Sequence, residues 1–108
     1  MIVRKPTYFA SIEWMAAAEG GRKAPPTGEG PDYMTTARFG AWTGNMPGEA
    51  NFTLVAELVE KADAYHWRAK VAFLVDEAPH HLLQPGAKFE FYEGRRCVAR
   101  GIIEEAAD

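Results

Sequence analysis

NFTLVAELVEKADAYHWRAKVAFLV, residues 51–75, is the stretch whose reading decides the fold. Its first half admits two patterns. Leu54, Val55, Leu58, Val59 and Ala62 recur at the spacing of an amphipathic helix. Phe52, Leu54, Ala56 and Leu58 also alternate as one face of a strand, with Val55 and Val59 on the other. The second half has a single pattern. From His66 onward, Trp67, Ala69, Val71, Phe73 and Val75 alternate against His66, Arg68 and Lys70, with aromatic and β-branched residues suited to a pleated surface. A hairpin returns the chain to such a strand with less linking chain than a helix needs. The strand reading is therefore preferred, with Ala62-Asp63-Ala64 as the hairpin tip.

Working outward, residues 7–15 alternate with Tyr8, Ala10, Ile12 and Trp14 on one face and Phe9, Ser11, Glu13 and Met15 on the other. Both faces carry apolar bulk, so this strand is expected to be covered along most of its length. Residues 33–42 hold the threonines and aromatics of a second strand, and residues 43–51 are a cluster of turn formers. Residues 77–87 read as a loop closed by Pro85-Gly86. Residues 88–93 alternate, with Phe89 and Phe91 on one face; Gly94-Arg95 makes a tight turn into a last strand over residues 96–105. Six strands with short turns and no helix predict an all-β fold: a six-stranded antiparallel closed barrel, one domain over residues 1–108. Closure is the economical arrangement because it leaves no exposed sheet edge.

The chain-wide numbers bound its function. At 108 residues, 47% hydrophobic and 25% charged, the chain has enough apolar area for one core and no room for a second. A net charge of −3 argues against a general polyanion binder, so DNA is not an expected partner, although a local basic patch remains compatible with it. The single cysteine, Cys97, precludes an internal disulfide and fits a reducing compartment, which gives a cytoplasmic expectation. The first ten residues have no apolar targeting core, and the longest apolar run, Trp14 to Ala18, is far too short to enter a membrane.

Catalytic signatures are missing. No GxSxG, phosphate-binding glycine loop or HExxH occurs, and no cofactor or metal is expected. His80-His81 would point opposite ways in extended chain and so would not share one metal. Cys97 reads as a small strand residue rather than a nucleophile. Glu19, Asp32 and Glu93 stand near glycines, where solvated loop charges are the ordinary reading and an acid–base pair the exceptional one. Two basic pairs remain, Arg22-Lys23 and Arg95-Arg96. If the first and last strands are neighbours, both pairs fall at one end of the barrel, either as solvated loop tips or as contacts to phosphate.

Two segments carry a family resemblance. EGGRKAPPTGEGPDY (residues 19–33) resembles the Glu-Gly-Gly-Arg…Pro…Gly-x-x-Pro-x-aromatic segment of the C-terminal β-barrel, domain III, of elongation factor Tu and related translational GTPases. FEFYEGRRCVARGII (residues 89–103) resembles the closing Phe-x-x-Arg-Glu-Gly-Gly-Arg-x-Val-x-x-Gly-x-Val hairpin of that barrel. Their order and separation agree with the family, and YFASIEW fits the strand before the first motif; residues 41–60 match loosely. The resemblance implies a six-stranded barrel without the GTPase domain, of a kind that contacts tRNA and packs on a partner domain. Carried over by position, Arg22 and Lys23 match the Gly-Gly-Arg loop, Glu93 and Gly94 match the closing turn, and Asp32 takes the variable place before the aromatic. Gly30 replaces the family arginine beside the acidic Glu29, which weakens a phosphate contact; Arg95 replaces the second glycine of the closing turn and offers partial compensation. The expected function is a non-enzymatic, protein-interaction barrel that meets a protein partner or a second copy of itself. The alternative is an RNA-binding module using Arg22, Lys23, Arg95 and Arg96.

Overall fold

The computed structural model describes residues 6–44 and 52–107. Six strands run through them: β1 (Tyr8–Trp14), β2 (Tyr33–Phe39), β3 (Phe52–Asp63), β4 (His66–Phe73), β5 (Lys88–Glu93) and β6 (Arg96–Ala106). They close into an antiparallel barrel in the order β1-β4-β3-β2-β5-β6. The strand reading of residues 52–63 holds, and so does the hairpin that follows.

Alternation sets the interior. Ala10, Ile12 and Trp14 of β1, Leu54 and Ala56 of β3, and Trp67, Ala69, Val71 and Phe73 of β4 are all buried. The alanines leave room for the aromatic rings opposite them, and each large side chain so buried contributes roughly 1.5–3 kcal/mol. Gly101 belongs to the same accommodation. A Cβ there would lie 2.3 Å from Cζ of the fully buried Phe89, so only glycine lets β6 pass that ring.

Several boundaries differ from the sequence reading. The hairpin tip is Ala64-Tyr65, two residues later than expected, because the Asp63 carboxylate accepts the Tyr65 amide hydrogen (2.8 Å) and closes the turn there. Register shifts between Leu58 and Glu60 and between Lys61 and Asp63 absorb the extra length in β3. The second strand stops at Phe39 rather than Trp42, because Gly40 at φ 128° turns the chain and Trp42 folds back on the barrel wall. The fourth stops at Phe73, so Val75 is 44% exposed instead of facing the core. His80 and His81 stand in a short 3-10 turn (His80–Leu82), not in extended chain. The His80 ring packs edge-on against Phe73, and its Nε2 lies 2.8 Å from the Asp76 carbonyl. Of the expected loop over residues 43–51, residues 45–51 lie outside the described residues, as do residues 1–5 of the segment read for targeting.

The two barrel ends are unlike. At one, Trp14, Tyr33, Glu93 and Arg96 meet the β3–β4 tip, and residues 15–32 cross over as a strap. At the other lie the start of β1, the end of β6 and the loops after β2 and β4. No helix among the described residues is long and apolar enough to cross a membrane.

Candidate functional site

The strap end gathers most of the residues singled out from the sequence. Residues 15–32 leave β1 through a 3-10 turn, Ala17–Glu19, whose Glu19 carboxylate accepts the Ala16 amide hydrogen (3.2 Å). Gly20, at φ 87°, reverses the chain in the left-handed region. Gly21 then passes so close to Met15 that a Cβ would stand 2.1 Å from its carbonyl oxygen. The two glycines thus serve to press the strap onto the barrel mouth. Glu19, weighed above as an acid or base, is occupied as a cap.

Beneath the strap lies an aromatic layer. Trp14 meets Tyr33 and Trp67 edge-on at 4.9 and 5.1 Å between centroids, and Phe91 completes the layer. Above it, Arg22 Nη1 lies 3.0 Å from Glu93 Oε2, and the Tyr33 hydroxyl donates to the same oxygen at 2.6 Å. Burial and the hydrogen bond to Glu93 hold the Tyr33 phenol well above its ordinary pKa, so it stays a donor. Arg22 and Glu93, matched to two separate motifs, are therefore partners that tie strap to closing turn. The pair is part-exposed and contributes at most about 1 kcal/mol.

Gly94, at φ 64°, and Arg95 form the two-residue turn between β5 and β6. The pairing of β1 with β6 brings the two basic pairs to one end, as the sequence suggested. Lys23 and Arg96 face one shallow depression of about 250 Å³ floored by Ala17, Gly20 and Gly21. Lys23, Arg95 and Arg96 are exposed and have no ion pair with any described residue. Asp32 is exposed on another side of the strap, where it borders a separate pocket with Arg22 and Tyr33.

Sequence reasoning missed a second cluster, on the outer wall. Glu90 alternates with Phe89 and Phe91 and so lies on the outer face of β5, yet it is only 2% exposed. Residues 38–44 cover it. Arg38 Nη2 lies 2.7 Å from Oε1, the Gly44 amide donates to Oε2 at 2.7 Å, and the Tyr92 hydroxyl donates to Oε1 at 3.1 Å. Burial alone would raise the Glu90 carboxyl, but the bonds from Arg38, Gly44, Thr43 and Tyr92 outweigh it and hold the group below its ordinary value. Arg38 is held further by the Ala41 carbonyl. A register shift at Phe91/Tyr92 turns Cys97 to this same outer face, 3.7 Å from Glu90. Burial and the neighbouring carboxylate push its thiol up to about 11, which leaves it protonated and unreactive at neutral pH.

Trp42 lies beside this cluster. Its indole N–H donates to the Phe89 and Gly101 carbonyls (3.0 and 3.2 Å), while Lys88 and Arg100 stack on its ring. No signal in the sequence marks Glu90 as buried, because the residues that cover it are some fifty positions away. His66, at the start of β4, sits 2.9 Å from Asp63 and 3.6 Å from Glu13, and the Asp63 bond raises its pKa.

Neither the comparison with protein-family models nor that with curated proteins gives a match to this chain.

Proposed function

We propose that this barrel is a non-enzymatic binding module whose strap end meets an acidic surface on a protein partner. One observation carries the reading. Arg22, Arg38, Arg68 and Arg100 are each paired with a carboxylate, whereas Lys23, Arg95 and Arg96, at one end of the barrel, have no ion pair with any described residue. On a chain of net charge −3, leaving three adjacent cations uncompensated is a local departure that suits recognition. The strap half of the barrel also exposes Met34, Val59 and Tyr65, and apolar and aromatic side chains beside arginine are the composition of a protein interface. The resemblance of residues 19–33 and 89–103 to the elongation factor Tu barrel supports the same end, since the first segment and the turn of the second lie there. The raised Cys97 thiol and the capped Glu19 fit a non-enzymatic role.

RNA is the second reading, favoured by the depression that Lys23 and Arg96 both line and that no described carboxylate lines. Three cations are few for counterion-release binding, which makes it the weaker one. Affinity capture from native extract, with and without nuclease, separates the two. The wild-type chain should retain a protein after nuclease treatment, and Lys23→Glu/Arg95→Glu/Arg96→Glu should lose it. Retention that vanishes with nuclease turns the reading to RNA; equal retention by the triple variant refutes both.

A further inference from the structure

The tip of the β3–β4 hairpin overhangs the barrel. β2 pairs with β3 only as far as Ala56, opposite Tyr33, so residues 57–63 are paired, among the described residues, with β4 alone. All of them are exposed except the half-buried Leu58, and both register shifts of β3 fall within them. Solvated, bulged and one-sided pairing belongs to the least stable part of a fold. On its far side the tip is fastened to the end of β1. The Trp14 amide donates to the Tyr65 carbonyl at 2.7 Å, and Glu13 stands opposite His66.

His66, at this junction, faces carboxylates from two strands. Its Nδ1 lies 2.9 Å from Asp63 Oδ1, within the hairpin, and its Nε2 lies 3.6 Å from Glu13 Oε2, on β1. Asp63 is fixed under the turn because it also accepts the Tyr65 amide hydrogen at 2.8 Å. Glu13 is anchored separately: Arg100 Nε of β6 donates to its other oxygen at 2.8 Å. An ionised carboxylate only accepts, so both contacts are attractive only when both ring nitrogens carry hydrogen, as in the imidazolium. The neutral ring has one N–H. Donated to Asp63, it leaves the Nε2 lone pair against the Glu13 carboxylate. The remaining neighbours do not replace the lost charge, since Glu19 and Glu60 are acidic and Arg68 is bound to Glu104 and Glu105.

We propose that His66 is a proton-operated latch, which clamps the β3–β4 tip to β1 when protonated and lets the tip part from Trp14 when neutral. Glu13 stays with Arg100, so the hairpin is the part that moves. Asp63 foremost, and Glu13 with it, raise the pKa of His66; the latch is closed below the ordinary histidine value and opens as pH rises through the higher folded one. Asp63 travels with the tip, so the Glu13 contact alone couples the proton to opening. The latch is a property of the fold and holds or fails whatever the strap end binds.

Hydrogen exchange of the full ¹⁵N-labelled chain tests it, read as protection factors, which remove the intrinsic pH dependence of exchange. The Trp14 amide reports the latch. The Ile103 amide, bonded to the Ala87 carbonyl at 2.8 Å near the opposite end, reports the barrel. Trp14 should be less protected than Ile103 at both pH 5.5 and pH 8, because the tip opens without global unfolding. Its protection should fall about two- to fivefold between the two pH values, the scale of an exposed ion pair. His66→Gln and Glu13→Gln should each abolish that fall. The second keeps an oxygen for Arg100 and gains an N–H for the neutral ring, and Ile103 protection verifies that each variant is folded. Equal protection of Trp14 and Ile103, no fall at Trp14 in the wild type, or a wild-type fall in Glu13→Gln would overturn the proposal.

Discussion

Replacing Glu90 with alanine should be among the most damaging single changes on the outer wall. The carboxylate is 2% exposed and accepts from Arg38 at 2.7 Å, the Gly44 amide at 2.7 Å and the Tyr92 hydroxyl at 3.1 Å. Hydrogen bonds to a charged group are worth about 1.5–3 kcal/mol each when measured singly, but they share one acceptor and do not add. Removing one partner of a buried ion pair typically costs about 3–5 kcal/mol, because the other charge is left uncompensated. Arg38 keeps acceptors in the Phe39 and Ala41 carbonyls, which places the expected loss near the lower bound, about 3 kcal/mol. For a domain of this size that is a fall in Tm of about 12–20 °C. Urea unfolding followed by circular dichroism should show the midpoint reduced with the slope unchanged. Acid adds a second readout. The folded-state pKa of Glu90 is depressed, so its stabilisation is present above the unfolded carboxyl value and disappears as pH falls through the lower folded one. Wild type should therefore lose stability below about pH 4.5 more steeply than Glu90→Gln. A loss under about 1 kcal/mol in Glu90→Ala would refute the reasoning, since it would mean the loop over residues 38–44 does not depend on this anchor.

Three further outcomes follow from the geometry. Gly101→Ala should destabilise by about 1–3 kcal/mol in thermal unfolding, because its methyl meets the buried Phe89 ring and neither backbone nor ring has room to yield. His66→Gln should reduce stability at pH 5.5 and have little effect at pH 8. The folded pKa of His66 is raised, so its contribution is full below the unfolded histidine value and is lost as pH rises through the folded one; urea midpoints at the two pH values check this. Cys97 should resist iodoacetamide in the folded protein and react at the rate of a free thiol in urea, as followed by mass spectrometry; rapid labelling of the native chain would contradict the buried, protonated thiol.

The all-β class and all six strands were legible because strand periodicity is local: Trp67, Ala69, Val71 and Phe73 mark an inner face whatever surrounds them. The meeting of Arg22 with Glu93 was also within reach, since each closes a glycine turn at an end shared by β1 and β6. Other features depend on distant chain. In KFEFYE the pattern shows which face Glu90 occupies, but that face became interior only when Arg38 and Gly44 folded over it. Cys97 lies on the outer wall because a single register shift reverses the phase of β6 beside Tyr92, an event with no signature in composition. The strap shows the same division. Its glycines and prolines announce a crossing, whereas the separation of charge to its two sides, Lys23 with Arg96 and Asp32 with Glu29, arises only when the crossing is laid over a closed barrel mouth. Alternation is a property of a few neighbouring residues; what covers a face, and which charges stay unpaired, is settled by contacts between segments far apart in the chain.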